Sequence, residues 1–202
     1  MKKLVFSIIV CFWLSIPSVA ISGSNSNPGD WTGNINVFLG MKYLDEGDWA
    51  PIEDQLESGI TVDFKQQGWP VSIAIGYLLS SDDSFGLYYF PGIGTITNVQ
   101  GETTELSIGV RKIWDHSPVV RPFIGGGIGL ISAELEAWPF ANTVSDDDDA
   151  IGIWIGGGVY WTLAGHFNLG FNLRWSKAEV TLFGVDSEAG GIHAGLFLGF
   201  HW

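Results

Sequence analysis

"GGIHAGLFLGFHW", residues 190–202, alternates in side-chain character through to its last residue. Ile192, Ala194, Leu196, Leu198, Phe200 and Trp202 fall on one side, and Gly191, His193, Gly195, Phe197, Gly199 and His201 on the other. A period of two belongs to a β-strand. One face is apolar throughout, while the other is mainly glycine with two imidazoles. A soluble sandwich would turn the apolar face to its core. An outer-membrane barrel turns it to lipid and leaves the small face to a narrow interior.

Seven further segments carry the same alternation. Over about 33–44, Ile35, Val37, Leu39, Met41 and Tyr43 oppose Asn34, Asn36, Phe38, Gly40 and Lys42. Over about 56–66, Ile60, Val62 and Phe64 oppose Gly59, Thr61, Asp63 and Lys65. Over about 70–79, Val71, Ile73, Ile75, Tyr77 and Leu79 oppose Ser72, Ala74 and Gly76. Over about 103–114, Leu106, Ile108, Val110 and Trp114 oppose Glu105, Ser107, Gly109 and Arg111. The segments at about 119–134, 150–162 and 166–180 place Arg121, Phe123, Trp154, Tyr160, Asn168 and Arg174 opposite a row of Ile, Val, Leu and Phe. Alternation fades after Trp175, where the strand is expected to leave the membrane.

Connection lengths alternate as well. "QQGWP", "DHSPV" and "LAGH" are short, whereas the stretches around 45–55, 80–102, 135–149 and 182–189 are longer and polar or acidic. Eight strands joined by three tight turns and four longer loops predict an all-β fold, an eight-stranded antiparallel up-and-down transmembrane β-barrel. Threaded this way, Trp31, Trp69, Trp114, Trp161 and Trp202 collect at the periplasmic end, with Tyr43, Tyr77 and Trp175 toward the other. Two aromatic girdles suit two lipid–water interfaces. On this reading the chain reaches Trp202 at the edge of the bilayer.

The first twenty residues, "MKKLVFSIIVCFWLSIPSVA", have a basic start, an apolar stretch and a small-residue exit at Ser18 and Ala20. They read as a secretory signal peptide, residues 1–20, cleaved after Ala20 to leave a barrel domain at 21–202. Cys11, the one cysteine, lies inside that stretch, so the mature chain offers no disulfide or thiolate metal site. Acidic residues number 22 against nine Lys and Arg, a formal net charge of −13, and loss of Lys2 and Lys3 makes the mature chain more negative still. Nucleic acid, which calls for a basic surface, is excluded as a partner.

Residues 31–202 resemble the small eight-stranded outer-membrane barrels of the OmpA transmembrane-domain and OmpX type. The terminal "GFHW", with Phe200 and Trp202, is similar to the aromatic-ended signal read by the barrel assembly machinery. "VRPFIGGGIGL" is similar to the fifth-strand pattern of that superfamily. The resemblance implies a porin-like monomer in the outer membrane of a Gram-negative bacterium, embedded in lipid and lipopolysaccharide, with no cofactor. No peptidoglycan-binding domain follows residue 202, so a cell-wall tether is not expected.

The register points Lys42, Asp63, Lys65, Glu105, Arg111, Arg121, Arg174, His193 and His201 inward. A charge facing lipid costs about 2–4 kcal/mol at mid-membrane, and an eight-stranded barrel is only wide enough to be filled by side chains. These groups are therefore expected to form a structural ion network, completed by water or loop carboxylates, rather than a gated ion path. The run Asp146–Asp149 could collect divalent ions but lacks the spacing of a calcium loop, so a solvated acidic loop is expected. The glycine runs at 125–127 and 156–158 lack the following helix of a phosphate cradle.

Ser176 and His193, with Glu188 as orienter, form the best hydrolytic constellation near the extracellular rim. His116 and His166 fall in periplasmic turns, and His201 lies at the wrong leaflet for lipid A chemistry. The sequence thus predicts a non-enzymatic barrel without metal or cofactor, acting in envelope integrity and through acidic extracellular loops in surface interaction or adhesion. The alternatives are a narrow OmpW-like conduit for small hydrophobic solutes and a lipid A-modifying hydrolase.

Overall fold

The alternating segments pair side by side until the sheet closes on itself. A computed structural model of the chain describes residues 31–90, 93–115, 117, 119–139 and 143–202. The signal-peptide assignment, Cys11 and His116 lie outside the described residues. The elements in chain order are β1 (Trp31–Tyr43), α1 (Glu46–Trp49), β2 (Asp54–Gln66), β3 (Ser72–Phe90), β4 (Gly94–Ile113), β5 (Val120–Ala137), β6 (Val144–Leu163), β7 (Phe167–Lys177), β8 (Glu179–Leu182), β9 (Val185–Glu188) and β10 (Gly191–His201). Strands β1 to β7 and β10 make one closed antiparallel barrel, and β8 with β9 makes a separate hairpin.

Closure is by β1 against β10, from Asn34 opposite His201 to Tyr43 opposite Ile192. Just beyond that ladder, Gly33 and Trp202 exchange both backbone hydrogen bonds at 3.1 Å. A closed ladder leaves no unpaired edge, which a spanning sheet in hydrocarbon requires. The inside–outside assignment expected of all eight strands holds. Ile35, Leu39, Ile108, Ile128, Ile153, Leu196 and Leu198 stand on the outer surface. Phe38, Leu78, Ile113, Phe123, Tyr160 and Phe197 pack inside as an aromatic plug. An apolar band this continuous far exceeds what a soluble monomer leaves exposed.

Three expectations are corrected above the plug. Residues 80–102 and 135–149 are not loops for most of their length, because β3 to β6 continue as a protruding four-stranded wall. Their inward side carries Ile96, Val99, Ile131, Ala133, Leu135 and Ala137, which pack with Trp49 and Ile52 and with Val180 and Leu182 of β8. This second apolar core makes the long strands stable outside lipid. Alternation does not fade after Trp175 but continues through Leu182, with Ala178, Val180 and Leu182 buried in that same core.

The acidic run is likewise strand. Asp146 Oδ2 accepts from Phe183 N at 2.6 Å, and Asp148 Oδ2 accepts from Thr181 N at 2.8 Å. Period two turns these two carboxylates toward the β8–β9 hairpin, which they pin across the mouth, while Asp147 and Asp149 stay on the outer face.

Candidate functional site

The lower lumen is built on the inward positions of β1, β2, β4, β5, β6 and β7. Arg111 Nη1 donates to Asp63 Oδ2 at 2.8 Å and to the Tyr160 hydroxyl at 2.6 Å, and Tyr160 donates on to Asp63 at 3.1 Å. The Arg111 guanidinium also lies 4.6 Å from the centre of the Phe123 ring. Arg121 donates to Thr162 Oγ1, Asn34 Oδ1 and Asn168 Oδ1 at 3.0, 2.8 and 3.2 Å. Lys65 sits at the tight-turn mouth of the barrel, paired with Asp115 at 3.2 Å. His201 Nδ1 lies 2.8 Å from Gly33 O at the same end.

The upper lumen is a second cluster. Arg174 pairs with Glu105 and stacks 4.5 Å over the Trp154 ring. Lys42 Nζ donates to Thr103 Oγ1 and to the Ala189 carbonyl, each at 2.8 Å. Ser176 Oγ lies 2.8 Å from His193 Nε2, and His193 Nδ1 lies 2.8 Å from Glu57 Oε1. Since a carboxylate only accepts, Nδ1 carries the proton and Nε2 accepts from the serine.

Glu57, not Glu188, therefore orients the histidine. Glu188 sits above the barrel, where its Oε1 accepts from Ala178 N at 2.6 Å and Gly190 N at 3.2 Å. On the strand between them, Gly40 of β1 faces Glu57 in register and itself faces Gly195. A Cβ at Gly40 would collide with the Ala194 carbonyl and the Phe38 ring, so a side chain does not fit there.

All eight residues expected in the charge network face the interior, but as two clusters separated by the aromatic plug. Glu57 was missed although its parity on β2 is inward; the polar flank Gln55–Ser58 obscured it. Between the clusters, a cavity of about 10 Å³ bounded by Phe38, Arg111, Phe123, Trp154, Arg174 and Phe197 has room for about one water. Larger hollows lie at the ends, about 90 Å³ beside Arg121 and His201 and about 150 Å³ beside Trp49, Tyr89, Leu182 and Phe183. Ser176, His193 and Glu57 are all buried, with no hollow beside the serine among these three to seat a substrate.

On the outer surface Trp31, Trp69, Trp114, Trp161 and Trp202 are exposed at one end of the barrel and Trp175 toward the other. Phe200 lies on β10 facing outward, stacked on His166 with ring centres 5.4 Å apart. Above them the wall changes character by rows. Tyr77, Leu106, Leu130 and Ile151 stand in register. Two steps on stand Leu79, Thr104, Ser132 and Asp149, and two more Ser81, Glu102, Glu134 and Asp147. The segments 44–55, 80–102, 131–150 and 178–190 hold most of the 22 acidic residues and no lysine or arginine. Asp82 shows the effect: partial burial, then the charges of Asp83, Asp54 and Glu53, raise its carboxyl above the ordinary value.

No protein-family model matches the sequence, and no curated protein matches it. Solved structures do match in fold. The chain superposes on OprG, an outer membrane protein of Pseudomonas aeruginosa, with a TM-score of 0.56 at 11% identity over 87% of this chain and 98% of that one. Neisserial surface protein A gives 0.55 at 10% identity over 85% and 97%. Ail, the attachment invasion locus protein of Yersinia pestis, gives 0.54 at 11% identity over 87% and 100%. The chain thus has the fold of the small eight-stranded outer-membrane β-barrels.

Proposed function

We propose that the protein is a non-enzymatic outer-membrane barrel that works in envelope integrity and by contacting surface partners through its extracellular wall. One observation carries this reading: the lumen is closed by the plug and two polar clusters, while the four-stranded wall above the apolar band has its own core. The five tryptophans and the Trp175 end then mark the two interfaces with outer-membrane lipid and lipopolysaccharide. The β10 end, with Phe200 and Trp202, serves as the assembly signal, and a monomer is the inserted form. Attachment is in the name of Ail, which has the same architecture. To test it, β3–β4 and β5–β6 are each shortened to tight hairpins, and adhesion of expressing cells is compared with that of cells bearing the full barrel. Lost adhesion with retained heat-modifiable folding supports the reading, and unchanged adhesion refutes it.

Two readings each have one observation in favour. The hollow beside Trp49 and Phe183 could seat a small apolar solute, as a conduit would need, but Ile52, Val99 and Ile131 are packed in the core beneath the mouth. Uptake of such solutes into expressing cells tests it. The Ser176–His193–Glu57 relay has the order of hydrogen bonds found in serine hydrolases. Its complete burial argues for a structural role, and lipid A mass spectra from expressing cells test that.

A further inference from the structure

We propose that the outer face of the β3–β6 wall binds a cationic polypeptide segment that also carries large apolar side chains. The inference rests on the surface-contact reading and names the chemistry of the partner. Three observations meet on this face.

The first is charge of one sign. With no lysine or arginine in the extracellular segments, the field over this end attracts cations and repels anionic lipid head groups, nucleic acid and a second copy of the chain. The second is alignment. Glu102 faces Glu134 in register, and Glu134 faces Asp147, so three carboxylates stand side by side across the sheet. Like charges directly opposite destabilise a sheet. The ion pair that reaches this end among the described residues, Lys177–Glu188 at 3.8 Å, lies elsewhere on the rim and leaves the three carboxylates without a cation.

The third is an apolar row where lipid does not reach. Phe85, Leu87 and Tyr89 on β3 are 77%, 71% and 77% exposed. They lie beyond the polar outward positions Ser81 and Asp83, and Phe85 is roughly 25 Å along the strand from Tyr77 at ~3.3 Å per residue. A divalent ion would neutralise the carboxylates and leave this row in water. A chain bearing lysine or arginine beside aromatic or aliphatic residues covers both.

The test uses the full barrel in phosphatidylcholine vesicles, whose zwitterionic lipid has no net charge. A short peptide alternating lysine with phenylalanine and leucine is titrated calorimetrically, beside a glutamate-for-lysine peptide, a serine-for-apolar peptide and Ca²⁺ alone. Two variants are compared, Glu102→Gln/Glu134→Gln/Asp147→Asn and Phe85→Ser/Leu87→Ser/Tyr89→Ser, with heat-modifiable migration as the check on folding. The expected result is saturable binding of the first peptide, weakened about tenfold or more by either variant and further by added salt. Equal binding of either control peptide, or unchanged binding in either variant, overturns the proposal. So does Ca²⁺ binding that needs the carboxylates while peptide binding does not. Adhesion kept by both variants but lost on hairpin shortening would refute this partner and leave the surface reading standing; adhesion unaffected by shortening would refute the reading itself.

Discussion

Replacing Leu196 with arginine tests whether the apolar band faces lipid, since the price of a charge there depends on depth. Leu196 stands outward at mid-strand on β10, between Leu39 of β1 and Phe171 of β7, and is 55% exposed. With apolar partners on both sides and no outward acid in reach, the guanidinium would sit in hydrocarbon. The expected loss is about 2–4 kcal/mol of folding stability. Leu79 is also outward, but its cross-strand partners are Ser58 and Thr104, and the next outward residue along β3 is Ser81. Arginine there can reach the interface, so the expected loss is about 0–1 kcal/mol. The difference of about 1–4 kcal/mol corresponds to roughly fivefold to nearly a thousandfold in the folding equilibrium. Equilibrium unfolding in denaturant with lipid vesicles, followed by the fluorescence of the nine tryptophans of residues 21–202, measures both. Equal costs at the two positions, or a chain that folds in buffer without lipid, would refute the membrane assignment.

Because every strand of the barrel is paired on both sides through the band, the folded protein should resist SDS at room temperature and shift mobility on boiling; a band indifferent to heat would contradict closure. Asp63→Asn should cost about 3–5 kcal/mol, because it leaves the Arg111 guanidinium buried without its counter-charge, whereas Asp149→Asn on the outer face should be near neutral in the same unfolding assay. Ser176→Ala and His193→Ala should leave lipid A unchanged by mass spectrometry, and Ser176 should resist a fluorophosphonate probe in the folded barrel; labelling that His193→Ala abolishes would promote the hydrolase reading.

The barrel was legible because lipid outside and a narrow lumen inside impose opposite demands on successive residues. Strands such as 33–44 and 190–202 follow both, with Phe38 and Phe197 as the large inward residues that build the plug. The wall above the membrane was not, because its outer face meets water. There Ser81, Asp83, Glu102 and Asp147 replace isoleucine and leucine, and the contrast that marks a strand inverts: apolar inside, polar outside. Residues 131–137, "ISAELEA", show it, with Ile131, Ala133, Leu135 and Ala137 inward and Ser132, Glu134 and Glu136 outward. The parity is unbroken from Leu130, but the apolar residues have changed sides.

The lumen was legible by residue but not by partner. Parity sent Lys42, Arg111, Arg174 and His193 inward, while their pairings depend on the circular order of strands. His193 meets Glu57 across β1, a separation of 136 residues. Glu188 is nearer in sequence, but the β8–β9 hairpin lifts it out of the ring, and proximity along the chain misled.

The inversion at Leu130–Ile131 explains how one sheet serves two solvents. Below it the interior must absorb polar groups, because the exterior cannot; hence two ionic clusters around an aromatic plug. Above it the exterior carries the acids and the interior can be apolar, so Trp49, Ile52, Val99 and Leu135 form an ordinary hydrophobic core. The buried ion pairs thus follow from the membrane. An ion pair in a protein core contributes little net stability compared with apolar packing, and a chain free to choose would use the latter. This chain does so where its outside meets water. Its acids consequently accumulate above the apolar band, on the same wall as Phe85, Leu87 and Tyr89, which the barrel's own core does not cover.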